Sequence, residues 1–209
     1  MRETAAPLVP PRPTHERLRK AAAGCAACEL HLLGTQTVFG DGPAKARVMM
    51  VGEQPGDRED IEGHPFVGLA GKLLGRALDE TGIARDDVYL TNVVKHFRWG
   101  GTRGKRRIHR KPSTAHISAC RLRLEAELSV VDPEILVCLG ATAAQAIVGK
   151  GFKVTEHRGK LVKVPGIDAM VTATVHPSSV LRARDDEIRR AEMTAFVRDL
   201  TEARRALED

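Results

Sequence analysis

Aromatic rings are scarce in this sequence: one Trp, one Tyr and five Phe, 3% of 209 residues. A surface that binds its ligand on a row of stacked rings needs several of them, so a multi-ring stacking platform is excluded. Long apolar runs are missing too. No stretch approaches the roughly 20 apolar residues of a membrane span. The opening MRETAAPLVPPRPTHERLRK carries proline and charge where a signal peptide needs an apolar core. Residues 1–13 read as a flexible leader, 14–209 as a single domain, and the protein as cytoplasmic with no membrane partner. Cysteine is limited to four; an intracellular chain does not build a disulfide framework from them, which leaves metal ligation, catalysis or burial. Both common nucleotide fingerprints are absent. There is no GxGxxG, and Gly100-Gly-Thr-Arg-Gly-Lys-Arg is one residue short of a P-loop, with Arg106 where Ser or Thr must hold magnesium.

What is present is an ordinary globular balance, 42% hydrophobic and 29% charged, with 33 Lys and Arg against 27 Asp and Glu. The resulting +6 favours an anionic partner. Four apolar, β-branched runs recur: Ala46–Val51, Val88–Val94, Glu134–Leu139 and Ala169–Val175. Short continuous runs of this kind suit strands of a parallel sheet, buried on both faces. Helical patterns lie at Leu69–Glu80, Thr114–Val130, Gly140–Val148 and Asp185–Leu207. In the last of these, Ile188, Ala191, Ala195, Phe196, Leu200 and Ala203 point inward. Strands alternating with helices predict a three-layer α/β/α sandwich on a four-stranded, mainly parallel sheet. Ligands of such sheets sit beyond the carboxyl ends of the strands. There the sequence places GEQPGD, Lys95-His-Phe, Gly140-Ala-Thr and His176-Pro-Ser-Ser.

Three constellations stand out. GEQPGDRED sets Glu53 directly after a buried strand, as a partly dehydrated carboxylate or, more plainly, as part of a solvated acidic turn. Lys95 to Lys111 carries Lys95, Arg98, Arg103, Lys105, Arg106, Arg107, Arg110 and Lys111 without a single acid, and three glycines that predict a mobile middle. Such a run is either a solvated face or a set of phosphate contacts that position a strand without reading bases. His109 lies within it, among cations expected to keep its imidazole neutral. Cys25-x-x-Cys28 is a chelating unit, but Cys120 and Cys138 do not form a second one, so zinc-ribbon spacing fails. Four is nonetheless the number a cubane iron–sulfur cluster needs, while Cys138 also passes as core and Cys120 as a helix-face filler.

Taken together, GEQPGDRED, Gly63-His-Pro-Phe-Val-Gly-Leu-Ala-Gly71, Leu90-Thr-Asn-Val-Val-Lys95, His176-Pro-Ser-Ser and the cysteine pattern resemble an iron–sulfur uracil-DNA glycosylase. Gln54 in place of a small residue, and the insertion holding Lys105-Arg-Arg-Ile-His109, are similar to the X-type subfamily, whose members bond covalently to uracil-containing DNA. The resemblance implies Glu53 as catalytic carboxylate and His109 as the residue that captures C1′ of the sugar. Phe66 would stack on the flipped uracil, Asn92 would read its pyrimidine edge and His176 would hold its O2. Gln54 and Asp57 would also lie beside the base, with Gln54 orienting His109. Lys105, Arg106, Arg107 and Ser178 would touch the DNA. Cys25, Cys28, Cys120 and Cys138 would hold a 4Fe–4S cluster. The implied protein is a nucleoid-associated monomer that takes uracil-containing DNA, single-stranded for preference, and releases free uracil. The alternatives are a multiple-turnover glycosylase and a non-catalytic iron–sulfur DNA-binding module.

Overall fold

A computed structural model describes residues 5–208. The helices are α1 His15–Ala23, α2 Leu30–Leu33, α3 Asp57–Glu62, α4 Leu69–Thr81, α5 Thr114–Val131, α6 Ala141–Ile147, α7 Val154–His157, α8 Pro177–Leu181 and α9 Asp186–Arg205. The strands are β1 Val48–Gly52, β2 Val88–Asn92, β3 Trp99–Arg103, β4 Arg106–His109, β5 Ile135–Leu139, β6 Val162–Val164 and β7 Ile167–Thr174. The main sheet runs in the order β2-β1-β5-β7-β6.

All four expected strands are in that sheet, mutually parallel. Alternate residues feed two cores. Val48 and Met50 of β1 pack with Leu73, Leu74 and Ala77 of α4 and Phe196 and Leu200 of α9. Met49 and Val51 pack with Cys120 and Leu124 of α5 and with Ala143 and Ala144 of α6. Burial on both faces is why these runs are continuously apolar. Helices therefore cover both sides of the sheet, as the alternating pattern predicts. Its fifth strand, β6, was not expected. It is three residues long and pairs antiparallel with β7 across Pro165-Gly166, a turn dipeptide that marks a hairpin. The terminal helix engages later than its pattern suggests: Phe196, Leu200 and Ala203 are buried, whereas Ile188 is 43% exposed.

Residues 1–4 of the expected leader lie outside the described residues, but the next ones are packed. The Ala5 amide donates to the Ala119 carbonyl (2.9 Å), and Ala5 and Leu8 cover Cys25. The basic insertion also differs from expectation. Its middle is an ordered antiparallel ribbon, β3 against β4, turning at Gly104-Lys105. The periodic signal was weak here because β3 contains two glycines and β4 is mostly basic.

Candidate active site

The carboxyl ends of β1, β2, β5 and β7 converge, and each supplies a polar group. After β1, Glu53 is partly buried and accepts a short hydrogen bond from the Thr142 hydroxyl at the start of α6. The loop after β2 is locked to the one after β1: the Val93 amide donates to the Gly52 carbonyl (2.9 Å) and the Val94 amide to that of Glu53 (3.0 Å). Asn92 at the end of β2 is buried, and its side-chain amide has no hydrogen-bond partner among the described residues. Gly52 is the floor beneath it. A Cβ there would stand 2.4 Å from Asn92 Oδ1 and 2.8 Å from Phe66 Cζ. Phe66 itself adopts the left-handed backbone region (φ 59°), which costs a non-glycine residue of order 1 kcal/mol and persists only where the surroundings impose it. Gly71 makes that possible, since any side chain there would overlap the Phe66 carbonyl. The Phe-Val-Gly-Leu-Ala-Gly sequence thus serves to aim one ring.

His176, beyond β7, lies across from it, its ring 6.1 Å from Phe66 and inclined by 27°. Burial, with help from Arg182 and His109, lowers its pKa to about 4. Nδ1 accepts from the Ser178 amide (3.2 Å) and meets the Ser178 hydroxyl (2.8 Å), which in turn accepts from Arg182 (3.0 Å). A neutral imidazole accepting at Nδ1 carries its proton on Nε2 and is a donor there. Ser178, expected at the DNA, fixes this tautomer.

The ribbon brings His109 to the same place. Its Nε2 is 3.4 Å from Glu53 Oε1, and its ring lies 6.1 Å from Phe97. Its pKa is lowered from 6.5, first by burial, against the pull of Glu53 and with Arg182 acting the same way. The loop's own cations are not the cause, contrary to expectation. Gln54 straps the base of the ribbon: Nε2 donates to the carbonyls of Arg98 (3.1 Å) and Arg110 (3.0 Å), and Oε1 accepts from the Arg98 amide (3.2 Å). With its amide so engaged, Gln54 ties down the main chain at Arg98 and at Arg110, the neighbour of His109. Asp57, also expected beside a base, pairs with Arg107 (2.5 Å). Arg107 further reaches the fully buried Asp60 (2.8 Å) and lies over the rings of Phe97 and Trp99. Its charge is thus met inside the protein by two carboxylates. Lys95 is likewise sealed in an ion pair with Glu127 (2.8 Å). Arg103, Lys105, Arg106, Arg110 and Lys111 remain exposed, with no carboxylate partner among the described residues.

Cys25, Cys28 and Cys120 lie close enough that the first two raise the pKa of the third, already pushed up to about 11 by burial, while the Lys95 backbone amide donates to its sulfur. Cys138 lies in mid-β5 between Val51 and Ala173, its pKa raised by burial, in the same buried cluster as Cys120 and with Cys28 packed against that cluster. No three His, Cys, Asp or Glu side chains among the described residues form a single-ion site. Thr142, Arg182 and Ser178 in its observed role were missed by sequence reasoning. Only the Gly140-Ala-Thr punctuation pointed toward the first.

The sequence profile of the uracil DNA glycosylase superfamily matches residues 39–201, a span holding every site residue but Cys25 and Cys28. This chain belongs to the uracil-DNA glycosylase superfamily. It is similar to the type-4 uracil-DNA glycosylase of Thermotoga maritima, 42% identical over 176 residues that cover 84% of this chain and 85% of the relative. The type-4 enzyme of Sulfurisphaera tokodaii is 36% identical over 173 residues (79% and 75%). That of Archaeoglobus fulgidus is 37% identical over 163 residues (75% and 78%). The superfamily's α/β sandwich is the fold described above. No helix among the described residues is long and apolar enough to cross a membrane.

Proposed function

We propose that this protein excises uracil from DNA, single strands preferred, and remains covalently bonded through His109 to C1′ of the resulting abasic sugar. The observation that carries the reading is the approach of His109 Nε2 to Glu53 on a ribbon that Gln54 holds in place. A flipped uracil would lie on Phe66, with the Asn92 amide offered to O4 and N3–H, a pattern that cytosine reverses. As the C1′–N1 bond breaks, its electron pair goes to uracil N1 and O2, where His176 Nε2–H stabilises the charge. Glu53 stabilises the oxocarbenium-like sugar on the other side. His109, neutral with the lone pair on Nε2, then bonds to C1′ through that nitrogen, and the imidazolium formed loses its remaining proton from Nδ1 to solvent, which leaves a neutral alkylated imidazole. That is a far poorer leaving group than the carboxylate ester of a retaining glycosidase, so the adduct persists. The five exposed cations of the ribbon and its flanks would contact phosphates of the strand.

Cys25, Cys28, Cys120 and Cys138 would hold an iron–sulfur cluster, which would supply a structural brace and take no step in the excision.

The test is a denaturing gel after incubation with a uracil-containing single-stranded oligonucleotide. A band that survives denaturant is the expected result, and His109→Ser should abolish it while releasing abasic DNA. Abasic DNA in excess of wild-type protein would establish turnover instead. Intact uracil-DNA would reduce the protein to a binding module. A crosslink that persists in His109→Ser would mean that another residue is the nucleophile.

A further inference from the structure

His176, the donor that the excision reading assigns to uracil O2, hangs from a strand end with one open edge. β7 lies between β5 and β6, and its pairing with β5 runs as far as Thr174, opposite Leu139. β6 is shorter, and its register with β7 stops at Val171, opposite Val162. From Thr172 onward no strand covers the outer edge of β7. His176 comes two residues after Thr174, so its ring inherits whatever freedom that edge leaves.

A turn and a helix close the edge instead. The Gly159 amide donates to the Ala173 carbonyl (2.9 Å), in the place of a ladder bond. Arg158, next to it, donates through Nε to Asp199 Oδ2 (2.6 Å) and through Nη1 to Glu192 (3.2 Å), both on α9. The same oxygen of Asp199 accepts from the Thr174 hydroxyl (2.6 Å). Asp199 is 4% exposed and Thr174 1%, so this carboxylate is a buried charge that the proposed chemistry does not use. The approach is close: Gly159 is left-handed (φ 74°), and a Cβ on it would stand 2.9 Å from Asp199 Oδ1.

Stability alone accounts poorly for the arrangement. A buried ion pair contributes little over apolar residues of equal volume, and Arg158 leaves Nη2 buried without a partner among the described residues. Valine has the shape of threonine and would fill its place. Apolar contact is non-directional, however, whereas two hydrogen bonds to one oxygen fix Thr174 against α9. On its other side the Thr174 carbonyl accepts from the Gly140 amide (2.8 Å), two residues before the Thr142 that bonds Glu53. The end of β7 is thus pinned between α9 and the support of Glu53.

We propose that Asp199, with Arg158 and Thr174, positions His176, holding the end of β7 so that Nε2–H meets the charge that develops on uracil O2. The assignment rests on the excision reading and adds to it three positioning residues that act only through His176.

The test is single-turnover excision by the full chain at saturating single-stranded DNA carrying uracil or 5-fluorouracil, adduct and abasic product counted together. Fluorine draws electrons from the ring, so the departing anion needs less help from His176. Thr174→Val should lower the rate on uracil by about tenfold, part of the roughly 100-fold or more that loss of such a donor costs. Its half-saturating DNA concentration should not change, and its deficit on 5-fluorouracil should be distinctly smaller. Thr174→Ser should restore the wild-type rate. In a His176→Ala background Thr174→Val should add nothing, as expected of residues that act as one unit. Asp199→Asn should follow Thr174→Val, and it decides the matter if Thr174→Val does not fold. An unchanged rate, equal losses on the two bases, or an additive loss in the double variant would overturn the positioning role. Wild-type protein that leaves uracil in place would overturn the excision reading instead.

Discussion

Replacing Gln54 by Ala removes the three hydrogen bonds that tie the base of the β3–β4 ribbon to the loop after β1. Each such bond contributes about 1 kcal/mol net, so docking of the ribbon should weaken by about 3 kcal/mol, a factor of about 100. The Arg107 pairs with Asp57 and Asp60 and the bond from Trp99 Nε1 to the Leu33 carbonyl (2.8 Å) still hold the rest of it. The ribbon should therefore stay folded while its base opens more often. Glu53, Asn92, Phe66 and His176 do not depend on Gln54 for position, so uracil excision should survive while capture by His109 declines. Two measurements test this. In single-turnover reactions with end-labelled uracil oligonucleotide, the adduct fraction should fall and abasic product rise, total excision staying within a few-fold of wild type. Hydrogen exchange of the amides from Trp99 to Arg110 should accelerate by up to the same factor of about 100. Equal loss of excision and capture in a folded Gln54→Ala protein would refute the reasoning, as would unchanged partitioning.

Further outcomes follow from the same geometry. Arg107→Ala strands Asp60, which is fully buried and keeps only the Thr35 amide (3.0 and 2.8 Å to its two oxygens) as a partner; urea unfolding should show a loss of about 3–5 kcal/mol. Phe66→Ala removes one stacking surface, and excision at sub-saturating DNA should fall by the equivalent of about 1–3 kcal/mol with little change in Tm. Because His109 has its pKa lowered from 6.5, its neutral form persists as pH falls through that value, so adduct formation should hold steady from pH 8 to 6.5 and decline only below it. His176 binds its proton in the unfolded chain near 6.5 but in the folded one only near 4, so it makes the protein progressively less stable as pH drops between those values, readable as a falling Tm. Neutralising Arg103, Lys105 and Arg106 together should flatten the slope of log affinity against log salt for a single strand by about 2.

The layered fold was legible because four runs buried on both faces admit no other placement, and the polar punctuation after them located the site edge. Glu53 and His176 could be found this way because strand ends are local features, whereas Asn92, inside the expected run Val88–Val94, came from the family resemblance alone. Gln54, Asp57, Arg107 and Ser178 could be noticed but not given their observed parts. Each is defined by partners far away in sequence, such as Arg107 on Asp57 and Asp60, which a list of charges reads as one more cation. The ribbon was hidden because its strands are stabilised by side-chain anchors, not by an alternating apolar face.

The Lys95–Glu127 pair shows how these distant partners serve the chemistry. Both side chains are fully buried, and such a pair, set against apolar residues of equal volume, contributes little or no net stability. Its geometry is nevertheless specific. Lys95 Nζ also donates to the Thr91 hydroxyl (2.5 Å) and to the Asn92 carbonyl (2.8 Å), while Glu127 accepts from Thr91 (2.8 Å) and Tyr89 (3.3 Å). The carbonyl oxygen of the proposed base-reading residue is thus held by a charge that is itself held by a helix on the other side of the chain's core. An apolar replacement could match the volume but could not hold that oxygen. Discrimination between uracil and cytosine depends on an amide held in place, because an Asn free to turn over would offer its donor and acceptor in either order. What this ion pair provides is a fixed main chain at Asn92, from which the side-chain amide is presented.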